Sequence, residues 1–263
     1  MKKLSTISVL HYFKLFFRSA LFVAMLVLYI LARLGGREIN ADSFREYPWI
    51  LVTLGVIFIS EMVLRFFPSR FESMGCQKQF KRNFIKTHTD KPDTGSAWTT
   101  LTVALVWILL NGIIGVLFLT DIIDEGILIL IALLYSVCDM ICILFFCPFQ
   151  TWFMKNKCCG SCRIYNWDYA MMFTPLVFIP GYFTYTVLGV ALLLLLVWEV
   201  TFRIYPERFS EQTNECLSCK NCKEKLCHHK TQLRHFLKKN RESLILKGNT
   251  VIGRVKNKLN RKD

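Results

Sequence analysis

The sequence predicts an all-α, polytopic transmembrane helix bundle with a cysteine-rich carboxy-terminal tail. Three observations carry the prediction. Of 263 residues, 53% are hydrophobic, more than an ordinary soluble domain holds. The apolar residues stand in long blocks rather than with the period of a half-buried helix or strand. Those blocks have about the 18–20 residues needed to cross roughly 30 Å of hydrocarbon.

The first block covers 16–32. Met1-Lys2-Lys3 opens the chain as a signal peptide would, but the block starts late and Arg33 occupies the place of a small-residue cleavage site. It therefore reads as a retained first span. The second block covers 47–67 and stops at Pro68, the third covers 98–119 and the fourth 126–146.

The fifth apolar region, 169–202, contains Pro175, Pro180 and Gly181. As one helix it would be roughly 50 Å long, well beyond a bilayer core. It must tilt, break or fold back. Pro180-Gly181 is the natural break, because proline lacks a backbone donor and glycine accepts unusual dihedrals. Two arrangements follow: one kinked span with an interfacial extension, or a short helical hairpin that returns to its starting side.

Charge distinguishes them. With the amino terminus inside, the inner stretches carry thirteen basic residues, including Lys14, Arg18, Lys78, Lys81 and Arg163. The outer loops carry only Arg33, Arg37 and Arg45. The positive-inside rule then places the amino terminus in the cytoplasm of a cell-membrane protein. Sixteen further basic residues follow Phe202. A hairpin keeps them inside and a single crossing does not, so the hairpin is favoured. The domain reading is a transmembrane helical domain over 1–202 and a basic cytoplasmic tail over 203–263.

The formal net charge of +14 suits a lipid bilayer with anionic head groups. No aromatic-and-basic recognition module is visible, so nucleic acid is not an expected partner. In the tail, 230–240 sets Leu233, Phe236 and Leu237 on one helical face among basic residues, the pattern of a helix lying on a membrane or a partner, or of a solvated basic helix.

Eleven cysteines, an odd number, fit poorly to a secreted disulfide framework. Cys216, Cys219, Cys222 and Cys227 fall within twelve residues, followed by His228 and His229. Four thiols so spaced can hold zinc tetrahedrally or an iron–sulfur cluster. Bacterial ferredoxin runs have one residue fewer before the last cysteine and a proline after it, where this chain has His228. Lys220, Lys223 and Lys225 between the ligands favour thiolates. Disulfides or free thiols are the remaining alternative.

A second cluster comprises Cys147, Cys158, Cys159 and Cys162. Cys159-Gly-Ser-Cys162 has the form of a redox pair or half a metal site, or of a reduced turn with no ligand. On the hairpin topology both clusters lie on one side and can form a composite site.

Polar residues inside spans come next. Asp139 lies near the middle of span four and Asn111 near the middle of span three. Intramembrane carboxylates face a bundle interior or a water path. The structural reading is an Asp139–Asn111 hydrogen bond, and the functional one a proton or cation path. Cys138 and Cys142, flanking Asp139, read as small packing residues. Glu61–Arg65 and Glu199–Arg203 are spaced as self-neutralising i, i+4 pairs. Trp167 and Tyr169 suit an interfacial aromatic belt, and Asp168 suits a helix N-cap.

Cys158-Cys159-x-x-Cys162-Arg163 with Asn166-Trp167-Asp168, then Pro206-Glu207-Arg208-Phe209 and Cys219-x-x-Cys222-x-x-x-x-Cys227, resembles a group of cysteine-rich bacterial multi-pass membrane proteins of uncharacterised activity. The resemblance covers the carboxy-terminal half and implies no particular reaction. No nucleophile elbow, phosphate loop, zincin helix or dinucleotide fingerprint is present. The leading expectation is a membrane protein with zinc or iron–sulfur cysteine sites in a structural or electron-transfer role. The alternatives are a small transporter using Asp139 and Asn111, or an assembly subunit whose tail docks a partner.

Overall fold

The computed structural model describes residues 6–36, 48–68, 74–89, 91–154 and 159–218. Seven α-helices follow in order among them: α1 Thr6–Leu34, α2 Pro48–Leu64, α3 Met74–Gln79, α4 Ala97–Leu119, α5 Glu125–Leu144, α6 Asp168–Phe173 and α7 Tyr182–Ile204. No strand forms among the described residues; Lys86 and Asn214 make an isolated bridge.

Four helices are long and apolar enough to cross a membrane: Ser8–Leu34 within α1, then α4, α5 and α7. The second block forms a 17-residue apolar helix, shorter than those four. Lipid offers no hydrogen bonds, so backbone at membrane depth must satisfy itself within helices or against protein. The apolar blocks follow that rule. Side-chain caps close two of the helix starts: Ser96 accepts the Trp98 amide at 3.2 Å and Asp124 accepts the Ile127 amide at 2.9 Å.

Helix α1 lies antiparallel along α5, and two ion pairs set the register. Arg33 meets Asp124 at 2.5 Å, and Arg18 meets Asp139 at 2.9 Å. Fifteen residues separate the two pairs on each helix, about 22 Å along the axis.

The fifth apolar region is a hairpin. Helix α6 continues into a 3-10 turn over Thr174–Phe178, and the chain reverses at Pro180-Gly181 before α7. At the tip, the Thr184 hydroxyl donates to the Ile179 and Gly181 carbonyls at 2.9 and 2.8 Å. At the open end, Arg163 meets Glu199 at 2.5 Å, and its guanidinium covers the Phe202 ring at 4.4 Å. The first arm, Asp168 to Phe178, is under about 20 Å long and cannot cross a bilayer core. It is wedged between α5 and α7, where protein replaces lipid around its irregular backbone. Tyr169, Met172, Phe173 and Leu176 from this arm join Val187 and Leu194 of α7 in the main core.

Two glycines seat the hairpin tip. A Cβ on Gly115 of α4 would collide with the Phe178 ring, and one on Gly55 of α2 would come within 2.8 Å of Phe183. Small residues allow such close helix approach. Gly112, one turn earlier on α4, faces open space. Gly115→Ala should therefore lower stability in detergent by about 1–3 kcal/mol through overpacking, while Gly112→Ala leaves it unchanged or slightly raised. Thermal midpoints of the two purified variants check this.

Candidate functional site: a buried charge network under a cysteine-bearing cap

The site begins with charges placed by apolar helices. Arg18 of α1 is 2% exposed. Its guanidinium donates to Asp139 of α5 and to Glu61 of α2, both at 2.9 Å, and to the Ser136 carbonyl at 3.1 Å. Lys14, one turn earlier, lies 3.4 Å from Glu61. Tyr169 of α6 donates its hydroxyl to the same Glu61 carboxylate at 2.8 Å.

The Tyr169 ring then separates two guanidiniums. Arg18 lies 5.9 Å from its centroid and Arg65 lies 4.6 Å away. Arg65, also 2% exposed, forms a two-pronged pair with Asp168 at 2.7 and 2.5 Å. Lys14, Arg18 and Arg65 thus stand against Glu61, Asp139 and Asp168, and the network is formally neutral. Each buried charge requires such pairing, and paired Arg with bidentate carboxylate is the strongest form of it.

Several expected pairings change. Asp139 meets Arg18, while Asn111 donates to the Trp107 carbonyl of its own helix at 3.0 Å. Glu61 and Arg65 each reach across to other helices, as above. Glu199 takes Arg163 and the Trp167 indole, the latter at 2.8 Å, and Arg203 is exposed. The expected spacings are present, yet a cross-helix partner neutralises a charge and joins two elements at once. Asp168 is the first residue of α6 and serves as the counter-ion of Arg65 rather than as a cap. Tyr169 is 2% exposed, a core residue and not part of an interfacial belt.

At the end of the bundle next to Arg65, three connecting segments form a polar cap around α3. The Cys76 thiol of α3 is fully buried and donates to the Arg65 carbonyl at 4.0 Å. Gln79 donates to the Gly160 carbonyl at 2.6 Å and accepts from Asn166 at 2.9 Å. Asn214, fully buried, donates to the Lys78 carbonyl at 3.0 Å and the Arg208 carbonyl at 2.8 Å. The Cys216 thiol donates to the Asn83 carbonyl at 2.8 Å.

The expected cysteine ligands divide accordingly. Cys147 follows the end of α5 and is partly buried, Cys162 is buried, and Cys216 is partly buried in the cap. Cys159 opens a 3-10 turn, Cys159–Ser161. Cys158, Cys219, Cys222 and Cys227 lie outside the described residues, as does the 230–240 segment. Among the described residues, no three metal-ligating side chains converge on one point.

Sequence reading did not place Arg18, Lys14 or Tyr169 in a site. Arg18 looked like a cytoplasmic flank because a basic residue near a span end usually is one. The usable signal was arithmetic: acidic Glu61, Asp139 and Asp168 in or beside apolar segments require an equal number of cations nearby. Comparison with protein-family models, curated proteins and solved structures finds no match to this chain.

Removing one member of a buried pair leaves a bare charge. Arg65→Met should cost about 3–5 kcal/mol, and adding Asp168→Asn should return much of it. Arg33→Met, at an exposed pair, should cost under about 1 kcal/mol. Unfolding in mixed micelles measures all three.

Proposed function

We propose that the chain is a multi-pass membrane protein whose cytoplasmic cap holds zinc or an iron–sulfur cluster through its cysteines, in a structural or electron-transfer role. In this reading α2 joins the four longer helices as a fifth membrane-embedded span. The amino terminus and the 203–263 tail both face the cytoplasm.

One observation supports the metal reading above the others. Cys162 and Cys216 are more than fifty residues apart in sequence, yet the chain beside each is held to α3: Gly160 accepts from Gln79, and Asn214 donates to the carbonyl of Lys78. Gly160 sits between Cys159 and Cys162, and Asn214 stands two residues before Cys216. A four-cysteine ligand set drawn from 216–227, or shared with 158–162, would be assembled on that helix. Zinc would supply a tetrahedral clamp there, and an iron–sulfur cluster a one-electron relay.

The hairpin supports the orientation. It returns 205–218 to the end where 74–89 and 159–167 lie, and in this reading the basic tail stays on that side. Asp139 is engaged by Arg18, which favours a structural role for it over a transport path.

Anaerobically purified protein should carry about one zinc or one iron–sulfur cluster per chain by elemental analysis and absorption. Cys222→Ser and Cys227→Ser should release it. Metal-free protein whose thiols all alkylate freely would reject the reading.

A further inference from the structure

A cavity of about 290 Å³ lies between α4, α5, the chain just past α5 and the first arm of the hairpin. Four cysteines line it: Cys138, Cys142, Cys147 and Cys162. Two of them, Cys147 and Cys162, belong to the second cluster of the sequence. Packing alone has no reason to gather thiols on one cavity, so their concentration calls for a chemical account.

The walls are flat and aromatic. Trp107 lies 4.7 Å from Tyr135 and 6.4 Å from Phe149, centroid to centroid. A cavity of this size with aromatic walls and few polar groups suits a small ring system. Cys138 is exposed on α5, an apolar membrane-length helix, so the cavity wall reaches the lipid-facing surface. A ligand arriving that way is lipid-soluble.

Two of these thiols flank the end of α5. Cys142 stands in its last turn, Cys147 follows just past Leu144, and both line the cavity. The helix ends at Leu144, and the chain turns back so that the Phe145 and Phe146 amides both donate to the Ile141 carbonyl, at 2.8 and 3.1 Å. The Gln150 amide donates to the Cys147 sulfur at 3.4 Å and holds it in place. Two thiols beside a flat apolar slot suit two-electron exchange. A metal centre is the weaker fit, because no three ligands converge among the described residues.

We propose that this cavity binds a lipid-soluble quinone and that Cys142 and Cys147 reduce it. Both S–H bonds break and one S–S bond forms. The two electrons and two protons pass to the quinone oxygens, giving one disulfide and one hydroquinone.

The test uses the full-length, reduced protein in detergent with decylubiquinone, whose fully substituted ring cannot be arylated by thiols. Loss of quinone absorbance should match disulfide formation one for one, and peptide mapping of the wild-type protein should place the bond between Cys142 and Cys147. Cys142→Ser and Cys147→Ser should abolish the reaction, and Cys76→Ser, outside the cavity, should keep it. Mapping on the wild-type chain stands even if a variant folds poorly. An unreacted quinone, or a disulfide that maps to other cysteines, overturns the proposal.

Discussion

Charge placed among apolar helices has to be neutralised where it stands. That constraint organises the bundle. A lone guanidinium or carboxylate at that depth would be costly. Here Arg18 receives carboxylates from two different helices, and Arg65 receives one from the hairpin. Every pair in this group therefore also fixes the relative placement of α1, α2, α5 and α6. Apolar packing between helices cannot do this alone in lipid, where tails are as apolar as leucine. The Arg33–Asp124 pair at the far end of α1 and α5 is half-exposed and sets register at little energetic weight.

The hairpin depends on the same constraint. Its first arm is too short to cross, and its 3-10 turn leaves backbone that lipid could not tolerate. It persists because Asp168 and Tyr169 anchor its start in the charge network. Phe178 and Phe183 anchor its tip against glycine notches. The return of the chain to its starting end then brings the 159–167 and 205–218 segments onto α3. Cap and network meet at Arg65, whose side chain pairs with Asp168 and whose carbonyl accepts the Cys76 thiol.

Much of this was legible in the residues. Block length and hydropathy located the long helices to within a few residues, except that α1 begins at Thr6, well before 16. Polar Lys14 hid that extension, because a residue that is satisfied by a distant partner looks like a flank. Proline and glycine marked the hairpin break, and the excess of tail lysines and arginines chose the fold-back. Partner choice was not legible. An i, i+4 spacing says that two side chains can meet on one helix, and nothing in it reveals the competing carboxylate on another. The thiol cavity was hidden for a similar reason: Cys138 and Cys142 pass for packing residues until Cys147 and Cys162 are brought beside them.

The central claim is that Arg18 and Asp139 are energetically one unit rather than two tolerated charges. A double-mutant cycle on the intact protein addresses it, with unfolding free energies for Arg18→Met, Asp139→Asn and the pair together. A coupling energy of roughly 1–3 kcal/mol is expected for side chains in one network. Single effects that simply add, to within about 0.5 kcal/mol, would contradict the account.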